Sequence, residues 1–142
     1  MNLSSEIKIT KVKAAEVSAG TEVLSDEVNM AGYDGVVFFT AIGTANAGNY
    51  IKAQQDDVMG MAGAADLEGT KVVATANDQV IWLDVYRPLK QFVRVSVIRA
   101  GAGSTVGEIY ALRYAGRMRP VDNVITNTII GELHVSPNEG TA

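Results

Sequence analysis

The chain carries one histidine, His134, and no cysteine, which narrows the chemistry it can offer. A triad built on histidine would have to use His134. That residue stands in an alternating segment near the C-terminus, and no serine lies in a nucleophile-elbow pattern. A strand or rim side chain is the reading its surroundings favour. Histidine-based metal clusters need more than one imidazole, and thiolate sites need cysteine. The expectation is no catalytic, metal or cofactor-binding residue, no cofactor and no enzymatic activity.

Carboxylates are the remaining candidates for acid–base work. Asp26-Glu27 and Asp56-Asp57 are adjacent pairs. Neighbours on a strand point to opposite faces, so adjacency does not put two carboxyl groups in one cleft. Asp26-Glu27 reads as a solvated edge. Asp56-Asp57 reads as a turn or as a helix N-cap for Val58 onward; calcium is the weaker reading, since no EF-hand spacing follows. Gly101-Ala102-Gly103-Ser104-Thr105 resembles a phosphate loop only superficially. It lacks the lysine and glycine spacing of nucleotide motifs, and no helix pattern follows. A hairpin connection is expected there, and Gly43 to Gly48 reads as a small-residue loop.

Two groups of cations remain: Arg87, Lys90, Arg94 and Arg99, then Arg113, Arg117 and Arg119. With Trp82, Tyr86, Tyr110 and Tyr114 they could form a stacking platform for single-stranded nucleic acid. The balance of 12 Lys and Arg against 16 Asp and Glu, a net charge of -4, argues against a general nucleic-acid binder. Arginines at a protein interface or on a solvated face are the favoured reading.

These side chains must be held by strands. Val and Ile together number 28 against 7 Leu, and branched β-carbons suit a pleated surface better than a helix. The 142 residues fit one domain with one core. Met1 to Glu6 are polar with no apolar run behind them, so no signal peptide is expected. Val36 to Phe39 is the longest apolar stretch, too short to span a bilayer.

Period-two alternation marks Glu6–Thr10, Asp26–Met30, Asn49–Gln55 and Phe92–Arg99. In the last, Val93, Val95 and Val97 share one face and Arg94 the other. Val36–Ile42 reads as a strand buried on both faces or as a central strand. Thr70–Thr75, Val80–Tyr86 and Val106–Tyr114 are further strands, the second stopped by Arg87-Pro88. Trp82, in an apolar run, is expected in or beside the core. Ala14–Ala19 is expected as a loop or single helical turn. Asp56–Gly69 is expected as a short helix or a loop. Asn123–Ile130 reads as a last strand or an extended arm, Glu132–Ser136 as a final alternating stretch, and Pro137 to Ala142 as a loose terminus. The resulting fold class is all-β, an antiparallel β-sandwich or jelly-roll-like barrel of about eight short strands with extended terminal segments. A single β domain spans residues 1–142, with assembly arms expected at 1–32 and 120–142.

Four segments, Met30-Ala31-Gly32-Tyr33-Asp34-Gly35-Val36, Leu83-Asp84-Val85-Tyr86-Arg87-Pro88, Phe92-Val93-Arg94-Val95 and His134-Val135-Ser136-Pro137, together resemble small virion proteins of tailed bacteriophages and prophages. The resemblance extends from about Ser5 to Thr141, and none of its segments is catalytic. It implies a structural protein of the virion, a head decoration or cement protein on the outer capsid surface. The implied partner is the major capsid protein, and the implied place of synthesis is the bacterial host cytoplasm. A head–tail joining or tail component is the other virion role. A homo-oligomer is expected, with a trimer as the first choice because three-fold positions abound on icosahedral shells. No specific nucleic acid and no membrane is expected as partner. A carbohydrate- or host-surface-binding module, stacking sugars on Trp82 and surface tyrosines, is the competing class.

Overall fold

The computed structural model describes residues 2–123, 125–136 and 138–141. A helical turn, α1 (Leu3–Glu6), precedes β1 (Lys8–Lys13), β2 (Glu16–Ala19), β3 (Val23–Leu24), β4 (Val28–Asn29), β5 (Gly35–Ile42) and β6 (Asn49–Asp56). Then come β7 (Ala65–Asp66), β8 (Val72–Val73), β9 (Gln79–Tyr86), β10 (Phe92–Arg99), β11 (Ser104–Val106) and β12 (Ile109–Tyr114). Every strand pairing is antiparallel.

The strands form two opposed sheets. Several short strands are collinear pieces of one ribbon, so each layer reads as four ribbons. The first sheet runs β1/β2, β12/β11, β5, β9, and the second runs β3/β4, β10, β6, β7/β8. Neither sheet closes on itself. The arrangement is a sandwich with free edges, and the barrel alternative is corrected. A barrel needs edge strands that pair with each other, whereas β9 pairs only with β5.

The core follows from alternation. Val36, Phe38, Thr40 and Ile42 of β5 and Ile81, Leu83 and Val85 of β9 point inward from the first sheet. Val93, Val95 and Val97 of β10 and Ile51 and Ala53 of β6 meet them from the second, all five fully buried. Arg94 lies on the opposite face of β10 and donates from Nε to Gln54 Oε1 at 2.9 Å. β5 is central, as expected, but only one of its faces is fully buried; Val37, Phe39 and Ala41 are half-buried.

Several local expectations are corrected. Ala14–Ala19 holds a strand, β2, because pairing with β11 supplies backbone partners that outweigh the helical preference of so short an alanine-containing stretch. Gly101–Ser104 is no hairpin; it carries the chain from β10 in one sheet to β11 in the other. Val106–Tyr114 is broken at Gly107-Glu108, where Thr40 Oγ1 donates to Gly107 O at 3.0 Å. Thr70–Thr75 narrows to Val72–Val73, and of the two forms expected for Asp56–Gly69 the loop is found, interrupted by β7. No strand forms among the described residues of Asn123–Ile130 and Glu132–Ser136, and these segments stay largely exposed. Met1, Val124, Pro137 and Ala142, on which parts of the expected arms and of the loose terminus fall, lie outside the described residues.

Arg99 was grouped with surface cations, but only 3% of it is exposed. Its place on the inward face of β10 sends the guanidinium across to the first sheet. Nη1 donates to Val17 O at 2.6 Å and Ser104 O at 2.7 Å, and Nε donates to Thr21 O at 2.6 Å. Nearby, the Asn49 side chain donates to Thr44 O and Ala102 O, both at 2.9 Å. Gly48 and Gly101 touch there; a Cβ on Gly48 would lie 2.6 Å from the Gly101 Cα.

Two substitutions check this packing. Val95→Asp leaves a carboxylate in an apolar layer and is expected to destabilise by several kcal/mol, on that order; a wild-type melting temperature would refute it. Arg99→Met keeps the stem but strands three carbonyls, with an expected loss on the order of 3 kcal/mol in urea unfolding.

Candidate functional site

Connections sort the loops to two ends of the sandwich. Residues 43–48, 74–78 and 100–103 occupy the Arg99 end, which is tightly closed. Residues 30–34, 57–64, 87–91 and 115–120 occupy the other end, together with α1. This second end is open. A cleft of about 760 Å³ is lined there by Met30 to Asp34, Arg87, Pro88, Lys90, Gln91 and Arg117. It joins members of the two cation groups that the sequence keeps apart, with Asp34 as the acid among the lining residues. Arg87 lies with its guanidinium 5.1 Å from the Tyr86 ring centre.

Arg113 stands behind the cleft. It is the inward residue at the end of β12, the first sheet's counterpart of Arg99. Its Nη1 donates to Asn29 O at 2.7 Å, and its guanidinium lies 4.8 Å from the Tyr33 ring centre. The Nε is buried without a hydrogen-bond partner among the described residues. Burial holds the Arg113 pKa below the ordinary arginine value. Arg94 and Arg119 are elsewhere; Arg119 Nη1 pairs with Glu6 at 2.8 Å.

The loop 57–64 is held by carboxylates. Asp56 accepts from the Gly63 amide and from the Asp57 amide, both at 2.7 Å. Glu27 accepts from the Gly60 amide at 2.8 Å. The Gly63 amide is the main reason that the Asp56 pKa lies below the usual carboxylate range, and the Gly60 amide does the same for Glu27. Asp56 therefore organises a turn, while Glu27 is a loop anchor and only Asp26 is a plain exposed edge residue. His134 is exposed, off any strand, with Nε2 3.3 Å from Glu132 Oε1. Among the described residues there is no group of three or more His, Cys, Asp or Glu placed to share a metal ion.

The outer faces of the two sheets differ in kind. On the second sheet Lys52, Gln54, Arg94 and Asp66 form a polar network, with Lys52 Nζ 2.7 Å from Asp66. The first sheet presents apolar and aromatic rows. Register places Tyr110, Phe39 and Trp82 side by side, then Leu112, Val37 and Asp84, with Val80 beside Ala41. The Phe39 and Tyr110 rings stack at 5.3 Å. Tyr86 and Tyr114 flank Gly35 and stack at 6.5 Å; Tyr114 lies over that glycine, where a Cβ would meet the ring at 2.2 Å. Tyr114 donates to Asp84 Oδ1 at 2.7 Å. Burial, then that bond, raises the Tyr114 pKa well above the ordinary phenol value. Lys11 and Tyr110 both donate to Glu108 at the β1 side, which lowers the Glu108 pKa.

Trp82 is the main correction in this region. The expectation of a place in or beside the core does not hold, for 64% of the residue is exposed. In Val80-Ile81-Trp82-Leu83 both parities are apolar, and register with β5 turns Ile81 and Leu83 inward and Val80 and Trp82 outward. The sequence carried no signal to choose between those faces. It also gave no sign that the Met30–Asp34 and Arg87–Gln91 loops share a cleft with Arg117.

No protein-family model matches the chain, and no curated protein matches it in sequence. Among solved structures, the crystal structure of SPBc2 prophage-derived protein YomS is similar over 78% of this chain and 94% of that chain. The identity is 10% and the TM-score 0.46.

Two measurements follow from this geometry. The native Asp56 pKa is depressed, so the carboxylate's contribution is complete above its unfolded value and is lost as pH falls through the native one. Asp56→Asn is expected to weaken urea resistance near about pH 7, and its gap to wild type to close as pH falls from about 5 toward about 2. Trp82 emission is expected to be red and readily quenched by acrylamide in dilute native protein, with little further shift on denaturation; a blue native spectrum would place the indole in a dry setting.

Proposed function

We propose that the chain is a structural protein of a tailed-bacteriophage particle, a head decoration protein seated on the outer surface of the capsid. The observation that carries the reading is a convergence. Three of the four segments that resemble phage virion proteins, Met30–Val36, Leu83–Pro88 and Phe92–Val95, run to the open end of the sandwich, and the first two contribute to the lining of the basic cleft. Such a role needs a stable small domain with surfaces for a lattice, and no reaction centre. The cleft suits an acidic patch of a shell protein, and the apolar outer face of the first sheet suits a protein contact.

Counting copies in purified particles tests the reading. Quantitative staining is expected to give hundreds of copies per particle; a number fitting one ring at a vertex would favour the head–tail role, and absence from particles would overturn both. Charge reversal at Arg87 and Arg117 together is expected to weaken capsid co-sedimentation roughly tenfold, more at low salt than at high. Retention of full occupancy would remove the cleft from the contact.

A second reading rests on Trp82. An exposed indole on the outer face of β9, in register with Phe39, is a platform on which sugar rings stack. Binding to one glycan class on an array, lost in Trp82→Ala, would favour a host-surface-binding module.

A further inference from the structure

The free edge of the first sheet and the C-terminal segment each lack something the other has. β9 is eight residues long and pairs on one side only. Its outward backbone groups face no strand, and long apolar edges of this kind are templates for a further strand. Two shallow grooves of about 400 and 310 Å³ follow β9 along its length. Val72, Val80 and Trp82 give the first an apolar lining.

The segment 129–135 reads Ile129-Ile130-Gly131-Glu132-Leu133-His134-Val135. Ile129, Leu133 and Val135 fall on one face of an extended chain, with Ile130, Glu132 and His134 on the other. Here the segment forms no strand, and Ile130, Leu133 and Val135 are exposed. It rests loosely by Ser4 and Ile9 at the β1 edge, where a cavity of about 330 Å³ separates the groups. Asn123 anchors its start, donating from Nδ2 to Ile7 O and Ser4 O at 2.8 Å and accepting from the Ile9 amide at 2.9 Å.

We infer that residues 129–135 add as a strand to the free edge of β9 in a second copy of the chain. Main-chain bonds to β9 supply affinity, and the face bearing Ile129, Leu133 and Val135 packs on the Val80 and Trp82 side. The donor leaves from the β1 edge and the acceptor is the opposite edge of the same sheet. That is a head-to-tail contact, which closes as a ring when the rotation allows. Ordering of the tail is thereby coupled to assembly. The inference stands apart from the virion reading, since it concerns copies of this chain alone.

The absence of native cysteine makes cross-linking clean. Full-length Val80→Cys protein is mixed with full-length Leu133→Cys or Val135→Cys protein and oxidised mildly. A disulfide joining one chain of each kind is expected, while the wild type shows an oligomeric mass by light scattering. Leu133→Asp/Val135→Asp is expected to keep the circular dichroism of the wild type but run as a monomer. Trp82 emission is expected to move blue as wild-type concentration rises, and to stay red in that double variant. The inference fails if the wild type is monomeric at high micromolar concentration, or if neither mixture cross-links. It also fails if the double variant keeps the wild-type oligomeric mass, or if a chain carrying both cysteines closes the disulfide within itself.

Discussion

The two layers of this sandwich are aligned by an arginine that crosses between them. Apolar burial holds the sheets together but is non-directional, and it tolerates sliding. The Arg99 guanidinium is planar and its donors are fixed in direction, so carbonyls of Val17, Thr21 and Ser104 can satisfy it in one arrangement. Those carbonyls belong to the β2 ribbon, the turn after it and the start of β11. One side chain of the second sheet thus positions the edge ribbon of the first. Removing a charge from water is costly, and the hydrogen bonds to backbone carbonyls offset that cost without a carboxylate partner.

Arg113 repeats the device from the other sheet at the other end, less completely. It reaches Asn29 O and lies over Tyr33, but its Nε is left without a partner among the described residues. The difference in closure matches the difference in surface. At the Arg99 end, Asn49 and the Gly48–Gly101 contact hold the loops against each other. At the Arg113 end, the loops part around Arg87, Lys90 and Arg117. The rigid end fixes the sheets, and the open end offers charge.

The two outer faces complete this division. A polar network of Lys52, Gln54, Arg94 and Asp66 occupies the middle of the second sheet, whereas aromatic and branched residues dominate the first. Contiguous exposed apolar surface of this kind marks contact with another molecule more often than isolated exposed residues do. The edge strand β9 bounds that face, and α1 and the segment that follows β12 lie at the open end. Surfaces for assembly are thus concentrated on one sheet and one end.

Alternation alone settled the all-β class, the strands at Asn49–Gln55 and Phe92–Arg99, and the inward set Val93, Val95 and Val97. There one parity is apolar and the other polar, so burial has a single solution. The absence of cysteine and the single histidine bounded the chemistry in the same direct way. Other features needed the folded chain. Val80–Tyr86 is apolar on both parities through Leu83, so only pairing with β5 decided that Trp82 faces outward. The hydrophilic label of Arg99 concealed its burial, because carbonyls that satisfy it come from residues 78 and 82 positions away as well as from Ser104 nearby. Ala14–Ala19 became a strand because β11 was there to bond it. The basic cleft arose because two connections between the sheets, Met30–Asp34 and Arg87–Gln91, meet the segment after β12 at one end. Local pattern fixes what a residue prefers; long-range pairing fixes which neighbours and which face it receives.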